Sequence, residues 1–459
     1  MKRLADEFIY KAYDHKLEKG YLNIKYTFEI PGVAVFEPSW KIPYSKEREQ
    51  EIAASHDFMG ELVFNLGLVE LISYWKCVCA ETIKIQCNTL TIKQILWWKK
   101  LYFYGLGEFF YNNGIVTTVE DFMHIELDEV EITAVKFAFA ELEGNLVPIG
   151  GGKDSIVTLN MLLSAGEEFN IGTVQPYVIN SRGATLDTVK VAGVEQTTVF
   201  ATRYLDKKLL ELNERGFLNG HTPFSAVVAF SSVIAAFVNG RKCVVLSNES
   251  SANEPTAVNA NGISINHQYS KSFKFETEFR YYMKKHLTVS NDYFSFLRPF
   301  SEYQIAKIFS KHKDYHAIFR SCNVGSKRNI WCANCPKCLF VYIILAPFLE
   351  VDELVRIFSE NLFDKQELLD DFNRLIGVED TKPFECVGSV DEINTALAQV
   401  LAQYGNDVLP YLLEQYSTTE RCHQYQANLD EKLDYYNGFY DEDNEVPQNY
   451  KQLLLKCAR

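Results

Sequence analysis

A glycine triplet separates an apolar run from an apolar-periodic segment in NLVPIGGGKDSIVTLNMLL, residues 145–163. The run that ends at Ile149 predicts a buried strand, and the spacing after Lys-Asp-Ser predicts a helix. Because Gly150, Gly151 and Gly152 carry no side chains, their backbone N–H groups can point into one cavity, and the positive end of the helix adds to their field. The segment is therefore predicted to bind phosphate.

A simpler interpretation of these residues is a tight turn with a helix N-cap, since Asp and Ser are favoured there. The order of strand, glycine loop and helix at the start of a β-α-β run favours phosphate binding over this alternative. The motif is neither GxxxxGK[ST] nor GxGxxG. It therefore predicts neither a P-loop that transfers a γ-phosphate nor the dinucleotide-binding fingerprint.

Four of the eleven cysteines lie in SCNVGSKRNIWCANCPKC, spaced C-x9-C-x2-C-x2-C. Two consecutive CxxC units place thiolates on tight turns, as a tetrahedral zinc ion requires, and the upstream cysteine supplies the fourth ligand. An iron–sulfur cluster and reduced, packed cysteines are the alternatives. The predicted ligands are Cys322, Cys332, Cys335 and Cys338. Because such a set leaves no open position, we expect a structural rather than a catalytic metal.

Polar residues follow the fourth predicted strand in LSNESSANEPT and continue in INHQYSKSFKFETEF. Ligands of parallel sheets bind outside the carboxyl ends of the strands, so these side chains are candidates for substrate contact. An ordinary turn and a solvated amphipathic segment are the competing interpretations. The candidate substrate-binding residues are Asn248, Glu249, Asn253, Glu254, His267 and Lys271.

The elements that position these motifs follow from hydrophobic periodicity. Strands are expected at 146–149 and in TVQPYVIN, TTVFATR and KCVVLSN, with helices from 154 to about 165 and over PFSAVVAFSSVIAAFVNG. Strands that alternate with helices predict an α/β fold with a parallel sheet covered on both faces. We expect this nucleotide-binding domain to span 144–349 and to end in the cysteine cluster.

The flanking regions differ in pattern from this central part. Residues 1–143 predict an aromatic-rich α+β domain, with strands in YLNIKYTFEI and GVAVFEPSWKI, helices in GELVFNLGLVELISYWK and TIKQILWWKKLYFYGLGEFFY, and a strand-like passage at 123–140. Residues 350–459 predict helices joined by polar connectors.

Composition narrows the class of protein. A net charge of −14 argues against nucleic acid as the default partner. The start of the chain shows no basic segment before an apolar one, and the apolar runs fall short of the ~20 residues that span a bilayer. We expect a cytoplasmic protein without a membrane partner, and eleven cysteines in such a setting favour a metal over disulfides.

The segment IGGGKDS resembles the Ser-Gly-Gly-x-Asp-Ser signature of the PP-loop ATP pyrophosphatase superfamily. The matching residues are Gly151, Gly152, Lys153, Asp154 and Ser155. Gly150 replaces the first serine, which removes one hydroxyl donor and keeps the backbone N–H. The resemblance implies ATP and Mg²⁺ as cofactors, adenylation of a substrate oxygen, and release of pyrophosphate held by residues 150–155. Asp154 is implied as the partner of Mg²⁺ or pyrophosphate, and Ser155 as a phosphate donor.

The order of motifs along nearly the whole chain resembles the family of UDP-N-acetyl-α-D-muramoyl-L-alanyl-L-glutamate epimerases of peptidoglycan synthesis. The motifs are SYWK, YGLGEFFYNN, PIGGGKDS, LRPFSEYQIA, WCANCPKCLF and KPFECVG. The resemblance implies that the chain converts the terminal L-Glu of UDP-N-acetylmuramoyl-L-Ala-L-Glu to D-Glu with ATP and Mg²⁺. The N-terminal domain, residues 1–143, is otherwise unassigned and would then recognise the sugar nucleotide. Adenylation would remove the charge of the terminal carboxylate and acidify the adjacent Cα–H, with AMP and pyrophosphate as by-products.

The proton-transfer residues are expected in KPFECVG, because the thiol and carboxyl of Cys386 and Glu385 suit exchange of an α-proton. They form the predicted catalytic set together with Asp154, and His267 and Lys271 are further candidates. The alternative enzyme is a PP-loop ligase that modifies a nucleobase or tRNA, because similar cysteine clusters occur in enzymes that make 7-cyano-7-deazaguanine. A non-catalytic nucleotide-binding protein is the third hypothesis.

Overall fold

Eleven of the thirteen strands in the described residues form a single sheet. The computed structural model of the 459-residue chain describes residues 3–129, 142–258, 262–379 and 381–458. The strands are β1 (Glu7–Glu18), β2 (Tyr21–Ile30), β3 (Ala34–Phe36), β4 (Ser39–Pro43), β5 (Thr82–Ile85), β6 (His124–Leu127), β7 (Asn145–Pro148), β8 (Val174–Ile179), β9 (Val199–Tyr204), β10 (Cys243–Leu246), β11 (Ala257–Val258), β12 (Ser264–Ile265) and β13 (Asp292–Ser295).

The helices surround this sheet and form the C-terminal region. They are α1 (Glu49–Ala54), α2 (His56–Trp75), α3 (Ile92–Gly105), α4 (Gly107–Asn112), α5 (Lys153–Leu163), α6 (Gly183–Val191), α7 (Lys207–Glu214), α8 (Phe224–Val238), α9 (Phe273–Tyr282), α10 (Glu302–Phe309), α11 (Pro336–Leu345), α12 (Val351–Phe358), α13 (Leu369–Ile376), α14 (Val390–Tyr404), α15 (Tyr411–Ser417), α16 (Glu420–Ala427), α17 (Leu429–Gly438) and α18 (Gln448–Ala458). Among the described ranges, none of these helices combines the length and apolarity needed to cross a bilayer.

The strand order is β13-β10-β7-β8-β9-β4-β2-β1-β5-β6, with β3 paired to β2. The strands from β13 to β9 are all parallel, which confirms the prediction for β7, β8, β9 and β10 and adds β13, which was not predicted. At the junction with the N-terminal strands, β9 runs antiparallel to β4, with Trp40 opposite Arg203. The N-terminal strands thus extend the parallel sheet, and the proposed boundary at 143/144 stays a prediction.

Alternating residues of the parallel strands enter two separate cores. On β7, Leu146 packs into one apolar cluster and Val147 into the other, and Val244 and Val245 divide in the same way on β10. Because successive side chains of a strand point to opposite faces, the sheet is covered on both faces. This confirms the prediction for the central part of the chain, and the helices of the C-terminal region confirm the prediction for residues 350–459.

The N-terminal strands follow a different pattern. On β2, buried residues alternate with more exposed ones, so that Leu22, Ile24, Tyr26 and Phe28 face the core. Helix α2 covers this face and is buried along most of its length. The predicted N-terminal strands and helices are confirmed, and β6 confirms the start of the strand-like passage at 123–140. Its remainder, from residue 130, lies outside the described residues.

The parallel sheet reverses its strand order between β7 and β10, which are neighbours. The connection from β7 leads to β8 on one side, whereas β13 lies beyond β10 on the other. Such a switch point opens a crevice at the carboxyl ends of the two strands. The glycine loop follows β7, and the segment Ser247–Asn248–Glu249 follows β10. Both therefore border the same crevice.

Candidate functional site

The glycine loop lies directly between β7 and α5. Gly151 has a φ of +81°, and a Cβ there would lie 2.8 Å from that of Ala184, so the position requires glycine. Gly152 is the N-cap of α5. A Cβ at Gly150 would meet none of the described atoms within 4 Å. The loop therefore offers unobstructed backbone at a helix N-terminus, which suits an anion.

The side chains of the loop contact one another rather than solvent. Ser155 Oγ donates to the carbonyl oxygen of Gly152 at 3.1 Å, so this hydroxyl must rotate to reach a phosphate. Lys153 is buried, and its Nζ donates to the carboxylates of Asp154 and Glu302. The lysine of the motif is therefore a hydrogen-bond donor to two carboxylates.

Three carboxylates come together beside the loop. These are Asp154, Glu249 and Glu302, and each places an oxygen within 4.8 Å of the others. Asp154 comes after β7 in the chain, Glu249 comes after β10, and Glu302 is the first residue of α10. Burial raises the pKa of Glu302 to about 8 despite the charge of Lys153. Although burial opposes its ionisation, Lys153 holds the pKa of Asp154 below its usual value. Three converging carboxylates, two of them buried, offer the oxygen ligands that Mg²⁺ takes in proteins.

Glu302 is the member of this set that sequence reasoning did not single out. It belongs to the motif LRPFSEYQIA, where Ser301 and Gln304 form a capping box that starts α10 at Glu302. The side chain of Glu392 fixes this helix start by accepting from the backbone N–H of Glu302 at 2.6 Å. The sequence shows the capping signal of α10, but it does not show that Glu302 lies beside the glycine loop.

The second part of the site is a thiol held by cations. Lys271 Nζ lies 3.1 Å from Cys386 Sγ, and the His267 imidazole also acts on the pKa of this thiol. Burial favours the neutral thiol, but Lys271 and His267 outweigh it and lower the pKa of Cys386 to about 6. Cys386 is therefore a thiolate at neutral pH. Of the six predicted substrate residues, His267 and Lys271 are the two that contact it.

His267 extends this contact into a longer network. Its Nδ1 lies 2.5 Å from Glu108 Oε2, and His221 Nδ1 lies 3.2 Å from the same oxygen. Burial opposes protonation of His267, but its bonds to Cys386 and Glu108 raise its pKa to about 9. Burial, together with repulsion from His267, lowers the pKa of His221 to about 4. Glu108 lies in YGLGEFFYNN, and neither it nor His221 was a sequence candidate.

Glu385, next to Cys386, has a separate environment. Its Oε2 accepts from Asn323 Nδ2 at 2.6 Å. Burial raises the pKa of Glu385 to about 7, against the opposing charge of Lys337. The adjacent thiol and carboxyl therefore both titrate near neutrality, which suits groups that give and take a proton.

Two buried cations join the carboxylate cluster to the thiolate. Arg298 donates to the backbone oxygen of Glu249 at 2.5 Å and also to that of Lys271, and its guanidinium pairs with Glu276 at 3.1 Å. Lys337 donates to the backbone oxygen of Cys386. Lys271 and Lys337 also lower the pKa of Asp154, after Lys153. The glycine loop and the thiolate therefore belong to one electrostatic unit.

The remaining predicted substrate residues have partners inside the protein. Asn248 Nδ2 donates to Ser295 Oγ at 2.9 Å, and Asn253 Oδ1 accepts from the backbone N–H of Phe273 at 2.7 Å. Glu254 pairs with Lys382 at 3.0 Å and thereby supports the loop that carries Cys386. The structure does not bring these three side chains to the thiolate, and their contact with substrate stays a prediction.

The four predicted metal ligands converge as expected for one ion. The measured sulfur separations are 3.9 Å between Cys322 and Cys335, 3.7 Å between Cys332 and Cys338, and 3.5 Å between Cys335 and Cys338. A tetrahedral zinc ion with Zn–S of about 2.3 Å requires about 3.8 Å, so the site fits zinc.

The cysteine cluster lies against both halves of the site. The backbone N–H of Arg320 donates to the carbonyl oxygen of Gly151 at 2.9 Å. Asn323, which follows Cys322, donates to Glu385. A metal in the cluster would therefore hold in place the glycine loop and the loop that carries Glu385 and Cys386, without contacting either loop itself.

Comparisons with known proteins identify the family of the chain. The model of the MurL N-terminal domain matches residues 1–296, and that of the MurL C-terminal domain matches residues 318–427. A UDP-N-acetyl-alpha-D-muramoyl-L-alanyl-L-glutamate epimerase from Xanthomonas oryzae pv. oryzae is 35% identical, over 72% of this chain and 73% of its own length.

Two further relatives cover more of the chain. Epimerases with the same name from Salinispora tropica and from a Micromonospora species are each 31% identical. They cover 88% and 87% of this chain, and 86% and 88% of their own lengths. No solved structure matches.

Proposed function

The chain belongs to the MurL epimerase family, an isomerase class of enzyme, and we propose that it inverts the terminal L-Glu of UDP-N-acetylmuramoyl-L-Ala-L-Glu through an acyl-adenylate. The observation that carries this proposal is the junction of the two halves of the site. Arg298 donates to the backbone oxygens of Glu249 and Lys271. Glu249 belongs to the carboxylate cluster, and the side chain of Lys271 contacts the sulfur of Cys386. Activation of a carboxylate and removal of its α-proton can therefore occur in one crevice.

The glycine loop is the proposed pyrophosphate site, as in the PP-loop superfamily. Backbone N–H groups of residues 150–152 and the N-terminus of α5 would bind the departing pyrophosphate. Asp154, Glu249 and Glu302 would hold Mg²⁺, which when bound neutralises the charge of the phosphates. Lys153 keeps Asp154 ionised and ready to bind a cation. The terminal carboxylate of the substrate attacks the α-phosphate of ATP, and pyrophosphate leaves.

Adenylation prepares the substrate for proton exchange. A free carboxylate disfavours a carbanion beside it, because both charges would share the same group. The acyl-adenylate lacks that charge, so the Cα–H becomes more acidic. We assign removal and return of the proton to Cys386 and Glu385, one on each face of the Cα. Hydrolysis of the inverted acyl-adenylate then releases AMP.

The cysteine cluster has a proposed supporting role. A zinc ion bound by the four thiolates would fix the segments of Arg320 and Asn323, and with them the glycine loop and Glu385. Elemental analysis should find about one zinc per chain, which Cys335→Ser removes and Cys457→Ser, outside the cluster, retains. Iron with sulfide would instead identify an iron–sulfur cluster.

An assay with the three rival substrates tests the function. Incubation with ATP, Mg²⁺ and UDP-N-acetylmuramoyl-L-Ala-L-Glu should give AMP, pyrophosphate and D-Glu after acid hydrolysis of the product. AMP formed only with a deazapurine or tRNA would favour the ligase instead, and no turnover with any substrate would favour a nucleotide-binding protein. A cytoplasmic location and the absence of a nucleic-acid partner stay predictions from composition.

A further inference from the structure

Three motifs far apart in the sequence bring a thiol, two imidazoles and a carboxylate together. His267 Nδ1 lies 2.5 Å and His221 Nδ1 lies 3.2 Å from the same oxygen of Glu108, and His267 is one of the groups that lower the pKa of Cys386. The exposed fraction of the side chains rises outward along this series of groups, from 10% for His267 through 14% for Glu108 to 22% for His221. The chain of groups therefore leads from the thiolate toward water.

The proposed catalytic cycle ends with the two proton-transfer groups in exchanged protonation states. After one inversion, the group that removed the proton is protonated, and the group that delivered a proton is ionised. Both must return to their starting states before the next substrate binds. Cys386 is half-buried beside Lys271 and the backbone contact of Lys337, and a substrate bound over the thiolate would cover its remaining exposed surface and hinder direct exchange with bulk water.

We propose that His267, Glu108 and His221 form a relay that carries this proton between Cys386 and solvent. This inference rests on the proposed function. Glu108 and His221 are accordingly positioning and relay residues, because they act through His267 and do not touch the reacting carbon.

Each transfer in the relay is a simple proton movement. Because His267 is protonated at rest, its Nδ1 first releases a proton to Glu108 Oε2. Glu108 passes that proton to His221 Nδ1, and the other ring nitrogen of His221 releases a proton to water. The S–H bond of Cys386 then breaks as the unprotonated ring nitrogen of His267 gains the thiol proton. No electron is transferred, and the return path runs through the same atoms in reverse.

The charges around the relay favour this path. His221 is kept neutral by burial and by the positive charge of His267. When His267 gives up its proton, that repulsion disappears and His221 can accept one. Lys76 and Lys271 are further cations that face His221. They discourage a permanent positive charge there, so that a proton received by His221 is released.

A dedicated contact holds His221 in position. Lys76 of the SYWK motif donates from Nζ to the Thr222 hydroxyl at 2.7 Å and to the backbone oxygen of Gly220. These residues flank His221 on both sides. Burial lowers the pKa of Lys76 to about 8. The loop of His221 is thus held by Lys76, although burial disfavours the charged form of this lysine. Such a contact is expected if His221 must keep one position.

Glu108→Gln tests the relay, because the amide keeps the shape but cannot carry the proton. We expect kcat for inversion to fall roughly 10- to 100-fold, with KM and ATP–pyrophosphate exchange unchanged within about twofold. Glu353→Gln is the matched control, since Glu353 also bonds a histidine, His316, at 2.7 Å but lies outside the site. It should retain inversion.

His221→Gly supplies a second test that does not depend on Glu108. Free imidazole should restore at least part of the lost inversion rate, whereas a purely structural role predicts no rescue. Unchanged inversion in Glu108→Gln, or failure of imidazole to rescue His221→Gly, would overturn the relay. A zinc ion bound by Glu108, His221 and His267, found as one equivalent lost in His221→Gly, would overturn it as well.

These results are separable from the proposed function. If the wild-type enzyme neither exchanges pyrophosphate with ATP nor inverts the substrate, the proposed function itself fails. If the wild type does both and the variants behave like it, only the relay fails.

Discussion

Lys271 places its ammonium 3.1 Å from the sulfur of Cys386, with both side chains half-buried. At this distance and away from bulk water, the cation stabilises the thiolate more than it would at the surface. The ion pair also connects two motifs, because Lys271 precedes α9 and Cys386 lies in KPFECVG. The pair therefore determines the resting state of the proposed base.

Lys271→Met should raise the pKa of Cys386 from about 6 toward its ordinary value, because burial then acts with one fewer opposing charge. The rate of alkylation of Cys386, followed by mass spectrometry as a function of pH, reports this pKa. Lys271→Arg retains the positive charge and should shift the profile little. An unchanged profile in Lys271→Met would show that the contact does not stabilise the thiolate.

The pH dependence of inversion should be bell-shaped. The pKa of Cys386 is lowered to about 6 and that of Glu385 is raised to about 7. Below about pH 6 both groups are protonated and the base is lost, whereas above about pH 7 both are ionised and the acid is lost. We expect kcat/KM to be greatest between these values, and a rate that rises steadily from pH 6 to pH 9 would contradict the pair.

A variant that lacks one proton-transfer group should exchange the α-proton of only one of the two epimers. Cys386→Ala and Glu385→Gln are each expected to lose inversion by roughly 100-fold or more. In D₂O with ATP and Mg²⁺, each variant should still exchange the α-proton of one epimer but not of the other, since one face keeps its base. Nuclear magnetic resonance of the two epimers measures this. Normal exchange of both epimers by Cys386→Ala would remove the cysteine from the mechanism.

Glu302→Gln should separate stability from activity. Because burial disfavours ionised Glu302, the variant should melt at the same or a higher temperature at neutral pH. It should lose ATP–pyrophosphate exchange roughly 100-fold, together with the stabilisation that Mg²⁺ and ATP give the wild type. Exchange at the wild-type rate would exclude Glu302 from the metal site.

Glu70→Gln is the control for this substitution. Glu70 is buried and accepts two hydrogen bonds from Arg203, at 2.6 and 2.7 Å, far from the glycine loop in the sequence. Loss of its charge leaves the arginine without a full counter-ion, so the melting temperature should fall. Exchange by the folded fraction should persist.

The predictable parts of the site are those encoded in single short segments. The glycine loop and the spacing that unites Cys322 with Cys338 each lie within about 20 residues, so local pattern was sufficient. Periodicity likewise predicted four of the five parallel strands, all but β13, and the helices of the C-terminal region. The substrate prediction was less complete, because polar residues in a loop look alike whether they bind a ligand or, like Asn253, cap the neighbouring backbone.

The parts that sequence reasoning missed depend on contacts between distant segments. Glu302 is 149 residues from its partner Lys153, and Glu108 is 159 residues from His267. Nothing in the spacing of a single glutamate or histidine distinguishes such a partner from a surface residue. The motifs LRPFSEYQIA and YGLGEFFYNN mark the segments, but only the fold shows which side chain of each enters the site.

The central claim is that the substrate carboxylate becomes an acyl-adenylate at the glycine loop before its α-proton moves. Substrate with oxygen-18 in the terminal α-carboxylate, incubated with ATP, Mg²⁺ and the full-length enzyme, tests it directly. Mass spectrometry should find one labelled oxygen in the AMP, because the carboxylate oxygen bonded to phosphorus stays there on hydrolysis at the carbonyl carbon. Inverted product accompanied by unlabelled AMP, or by no AMP, would contradict the account.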